Sequence, residues 1–126
     1  MDDVEPNERL SRFILDKRLI RPDMSVKHGS FMPPKTGKLS VYRTRGQTDQ
    51  AIWEIGQEFI ANPLQKSLFG RADLSTAQQA ISEGLSVLAE PTPHPLHADI
   101  VGWPSDSTEL RLKAVKLAGM ATAVLK

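Results

Sequence analysis

The chain has 126 residues, 40% of them apolar, a net charge of +1 and no cysteine. This is enough apolar content for one buried core at the usual size of a single domain, and it excludes disulfides, thiolate metal centres and cysteine nucleophiles together. No run approaches the roughly 18 apolar residues that a membrane span requires, and "MDDVEPNERL" carries no apolar leader segment, so a soluble, cytoplasmic chain is expected.

Residues 1–5 are acidic and polar and are expected to be flexible. In "PNERLSRFILDKR", Leu10, Phe13 and Ile14 follow i, i+3, i+4 spacing behind Pro6 and Asn7, which predicts a short amphipathic helix ending near Arg21 and Pro22. Residues 22–37 hold three prolines and two glycines without a period and read as a long irregular loop. "KLSVYRT" alternates and is rich in strand formers, so a strand is expected. Thr48 then opens a helix as N-cap, with Asp49 in its first turn. Ile52, Ile55, Gly56, Phe59 and Ile60 share one face of this helix, and Gly56 there signals close backbone approach.

"LFGRADL" reads as a second strand. Ser75 and Gln78 have capping-box spacing for a short helix that Gly84 would stop. "LSVLAE" and "ADIVGW" read as third and fourth strands, separated by the proline-broken "EPTPHPLH". The final segment, capped by Ser105 or Asp106, predicts a long helix to the end of the sequence. Its core face carries Leu110, Ala114, Leu117, Ala118, Ala121, Val124 and Leu125. Its opposite face, Leu112, Val115, Gly119 and Ala123, is apolar and small for a solvent side, and is expected to meet a protein partner or a second copy of the chain. The order predicts a single two-layer α+β domain over 1–126, with three to four helices on one side of a mixed sheet of about four strands and a long C-terminal amphipathic helix.

Charge is the leading functional signal. From Lys17 to Arg45 there are eight basic side chains against Asp23 alone, a balance of +7, and such a segment suits an anionic partner. Lys35, Lys38, Arg43 and Arg45 lie on and around the "KLSVYRT" strand. By the period of two, Arg43 shares its face with Leu39 and Val41; an inward guanidinium needs a carboxylate such as Asp73 or Asp99, or an anionic ligand. Arg71, alternating with Asp73, is a candidate for the same cluster, and His97 and Trp103 are candidates for the rim of a cleft.

Other chemistries have less support. His94 and His97 with Asp99 and Asp73 have the right ligand types for a metal, but Pro95 forbids the helix that would bring an HxxH pair together, so no metal is expected. The histidine and hydroxyl of His28 and Ser30 form a step of phosphate chemistry without its second copy, because Asp99 stands where the second hydroxyl belongs. No nucleotide, P-loop, zinc-protease or nucleophile-elbow motif occurs, and no cofactor is expected.

The leading expectation is a small non-enzymatic binding or accessory module that engages an anionic partner or protein surface through 35–45. The alternative is a small phosphate-handling hydrolase or transferase using His28, Arg43, His97 and Asp99 in one cleft. A third is a nucleic-acid-binding regulator, with Tyr42, Phe31 and Trp103 as stacking residues.

Overall fold

The computed structural model describes residues 3–126. Leu10–Ile14 forms a strand, β1, where the apolar spacing predicts a helix. Both faces of this strand are covered: Leu10 and Ile14 enter the core on one side and Phe13 enters on the other. A strand buried twice shows no clean alternation, so its apolar positions mimic helical spacing.

The expected loop at 22–37 is also more ordered than its composition implies. Ile20 bridges to Val26, a 3-10 turn spans His28–Phe31, and Val26 and Phe31 are buried in the core. The four strands expected from alternation are present as β2 (Leu39–Arg43), β3 (Gly70–Leu74), β4 (Ser86–Ala89) and β5 (His97–Val101).

The helix α1 (Asp49–Gly56) begins as predicted, with Thr48 Oγ1 accepting from the Ala51 N–H. It continues through a wider π turn, Gln57–Ala61, and a 3-10 turn, Asn62–Leu64. The short α2 (Gln78–Ile81) lacks the predicted Ser75 capping box, since no side chain caps it. Its N-terminal N–H groups are taken instead by backbone carbonyls: Ala77 donates to Glu8 O and Gln78 to Pro6 O. Gly84 adopts the left-handed conformation of a helix stop, with φ +80°.

The C-terminal helix α3 (Ser107–Met120) is capped by Asp106 and is shorter than predicted. Ala121 turns extended, and Thr122–Leu125 forms a last strand, β6. Ala123 therefore belongs to β6 rather than to the outer helix face, while Leu112, Val115 and Gly119 are exposed on α3.

The six strands run in the order β4-β5-β2-β1-β3-β6, and every neighbouring pair is antiparallel. A mixed sheet is expected wherever a helix links two strands, because such crossovers join strands of like direction. Here β2 and β3 do run alike across α1, but β1 lies between them and opposes both.

Helices cover both faces, which corrects the two-layer expectation. On one side Leu10, Ile14, Leu39, Val41, Ala98 and Ile100 pack with Ala114, Leu117 and Ala118 of α3. On the other, Phe13 and Tyr42 pack with Ile52 and Ile55 of α1. No helix among the described residues is long and apolar enough to cross a membrane.

Gly56 meets the expectation of close approach. A Cβ there would lie 2.5 Å from Phe13 Cδ1 and 2.9 Å from Leu68 Cδ2. Gly56→Ala should cost about 1–2 kcal/mol, overpacking exceeding the gain in helix propensity. Urea unfolding that shows the alanine variant as stable as the parent would remove this account.

Candidate functional site

Arg43 points to the α3 side of the sheet, as its neighbours Leu39 and Val41 require, but its partner is neither Asp73 nor Asp99. Glu8 takes it in a two-pronged ion pair, Nε to Oε1 at 2.9 Å and Nη2 to Oε2 at 2.9 Å. Burial pulls the Glu8 carboxyl upward, yet the hydrogen bonds from Arg43 and the Glu5 N–H, with the charge of Arg43, outweigh it and hold the group below its ordinary value. The need for a carboxylate was legible in the alternation of β2; its identity was not, because Glu8 lies outside any predicted strand.

On the opposite side of the sheet Arg71 and Asp73 belong to a separate network. Arg71 Nε donates to Asp73 at 3.0 and 3.2 Å and Nη2 to Asp49 at 2.9 Å, while the guanidinium lies 4.6 Å from the Trp53 ring centre. Because Asp73 accepts, Ser11 must donate its hydroxyl proton to it at 2.6 Å. The Ser11 oxygen then accepts from Thr44, whose oxygen accepts from Arg9 Nε. This is a directed chain of hydrogen bonds, buried at Ser11 and Asp73 and partly buried at its two ends, that ties β1, β2 and β3 to the start of α1.

His97 and Asp99 also face the α1 side, since Ala98 and Ile100 between and beyond them enter the other core. The carbonyl of Glu90 can only accept, so His97 Nδ1 carries a proton and donates at 2.9 Å, and Nε2 lies 3.5 Å from Asp99 Oδ1. His94 has the reverse arrangement, its Nδ1 accepting from the Leu96 N–H at 3.0 Å. Tyr42 stacks edgewise on both rings, and burial pushes its phenol upward.

His28 is elsewhere: it lines a groove with Val115 and Gly119 on the α3 side. The set His28, Arg43, His97 and Asp99 is thus divided between the two faces of the sheet and forms no common cleft. Phe31 and Tyr42 are buried, so neither offers a face for base stacking. Trp103 is half-buried just beyond β5, its indole N–H donating to Ile100 O.

Lys35 and Lys38 are exposed on a turn before β2, and Arg45 follows β2 with a hydrogen bond to Asn7. Lys38 and Arg45 are seven residues apart along an extended strand, roughly 20 Å, so the cations of 35–45 stand at two ends of β2. No group of three or more histidines and carboxylates among the described residues is placed to hold a metal ion.

A concave surface that combines charge with an apolar lining lies at the other end of the basic segment. A groove of about 640 Å³ has one wall from residues 17–27 and another from Phe69 and Leu125. Ile20, Pro22, Met24, Phe69 and Leu125 supply its apolar lining, and Lys17, Arg18, Arg21 and Lys27 its charge.

Local chemistry fixes this wall. Asp16 caps the 3-10 turn Lys17–Leu19 and takes the Arg18 guanidinium at 2.9 and 3.1 Å, which holds its carboxyl down at about 2. The Lys27 N–H donates to Leu19 O, closing the loop onto that turn, and Arg21 Nη1 donates to Ser25 Oγ at 3.2 Å. The ammonium groups of Lys17 and Lys27 make no hydrogen bond or ion pair with any described residue.

The interleaving of Ile20, Pro22 and Met24 with these cations was the available sequence signal. Phe69 and Leu125 come from distant positions that only the sheet brings together. No family model matches the chain, and no curated protein or solved structure shows a significant similarity to it.

Proposed function

We propose that the protein is a non-enzymatic binding module that engages an anionic partner carrying apolar surface, and that the groove between residues 17–27 and the ends of β3 and β6 is its working surface. The observation that carries this reading is the coincidence in one concavity of an apolar lining and four cations, of which Lys17 and Lys27 make no hydrogen bond or ion pair with a described residue. Charge at a rim steers and selects an anionic partner, while burial of apolar area supplies most of the affinity. The stretch 35–45 has less support as the engaging surface, since Arg43 is occupied by Glu8 and the remaining cations are divided between the two ends of β2.

The dye anilinonaphthalene sulfonate, an anionic aromatic, tests the reading. Wild-type protein should bind it with a salt-sensitive rise in fluorescence. The double variant Lys17→Glu/Lys27→Glu should weaken binding by at least about tenfold, equivalent to about 1.4 kcal/mol. Lys35→Glu/Lys38→Glu should leave it unchanged. Equal binding by the wild type and the first variant removes the groove from consideration, and a loss confined to the second returns the reading to 35–45.

A further inference from the structure

We infer that the occupant of this groove is a small anionic amphiphile of the fatty carboxylate class, with its head group between Lys17 and Lys27 and its alkyl chain over Ile20, Met24, Phe69 and Leu125. This rests on the binding-module reading above and names the ligand of the same site.

Size, charge count and the division of the walls converge on it. The volume, about 640 Å³, falls in the range of small-molecule sites. The four cations stand against two neighbouring carboxylates, Asp16 beside Arg18 and Lys27, and Asp23 beside Arg21. A net charge of +2 is left for a ligand, which calls for a head group of one or two negative charges rather than a polyanion.

All the charge comes from the loop wall, while the sheet wall contributes only Phe69 and Leu125. A ligand with one charged end and one apolar length matches this division. An acidic peptide, whose charges and polar backbone recur along its length, matches it less well. A second groove of about 320 Å³, lined in part by Val115 and Gly119, shares Arg21 with the first.

The test is displacement of anilinonaphthalene sulfonate from the full chain by octanoate, decanoate, dodecanoate and tetradecanoate, each below its micelle concentration. Affinity should rise about fourfold per methylene while the tail is being buried, from the transfer energy of about 0.8 kcal/mol per group. Dodecyl trimethylammonium should not compete.

Met24 is exposed and has φ +69°, a conformation that aspartate tolerates. Met24→Asp should therefore fold normally and abolish the dependence on chain length. Carboxylates that compete equally whatever their length, or an acidic apolar peptide that competes where tetradecanoate does not, would overturn the amphiphile while leaving the binding-module reading in place. Absence of dye binding to the wild type would overturn both.

Discussion

Asp73→Ala should lower the folding stability by about 3–5 kcal/mol, the range for removing one partner of a buried ion pair. Arg71 and Asp73 are 2% and 8% exposed. Arg71 Nη1 already lacks a hydrogen-bond partner, and without Asp73 its Nε would lose its acceptor too, with only Asp49 on the surface to answer the charge. Ser11 would lose its acceptor in the same step and leave the chain through Thr44 to Arg9 without an end.

The loss belongs to the pair rather than to either residue, so Arg71→Met/Asp73→Ala should be more stable than the sum of the two single changes by at least about 1 kcal/mol. Urea midpoints of the four proteins give this coupling directly. Additive single changes, or an Asp73→Ala cost below about 1 kcal/mol, would show that the network contributes little.

This network explains part of what the sequence displayed and part of what it hid. Strands β2 to β5 were legible because each combines strand-forming residues with turn signals at its ends, and Thr48 announced α1 through a mechanism confined to four residues. The strand β1 was hidden because burial on both faces erased the period of two. The strand β6 was hidden because Ala121 to Leu125 continue the apolar spacing of α3 with no proline or glycine at the break; the nearest glycine, Gly119, lies two residues earlier on the exposed side.

Site residues followed the same division. That Arg43 needs a carboxylate could be read from its two apolar neighbours on β2, a local inference. That Glu8 supplies it, and that Arg71 turns to Asp49 and Asp73 instead, depends on strand order, which no single segment encodes. The basic excess over 17–45 was visible as a sum. Its partition into arginines that a side chain already bonds, Arg18, Arg21, Arg43 and Arg45, and lysines that none does needed the positions of Asp16, Ser25, Glu8 and Asn7.

Glu8→Gln should cost about 2–3 kcal/mol at neutral pH, since it leaves Arg43 largely buried with a neutral partner, and the cost should depend on pH with a definite sign. The folded protein holds this carboxyl below its ordinary value, net of the burial that opposes the shift. Its contribution is therefore complete above the unfolded value of about 4.3 and is lost as pH falls through the lower folded value. Wild type and Glu8→Gln should differ most near neutrality and converge progressively as the pH falls below the unfolded value.

The local consequence is equally specific. Glu8 O and Pro6 O accept from the Ala77 and Gln78 N–H groups, so releasing the segment that Arg43 anchors should also free the start of α2. Hydrogen exchange at those two amides should accelerate in the variant more than at the amides of β5, which has no bond to that segment. Parallel stability curves for the two proteins from pH 6 to pH 3 would mean that the Arg43 pair contributes no charge-dependent stability. Uniform acceleration at both sets of amides would mean that the entry segment is held by its backbone bonds alone.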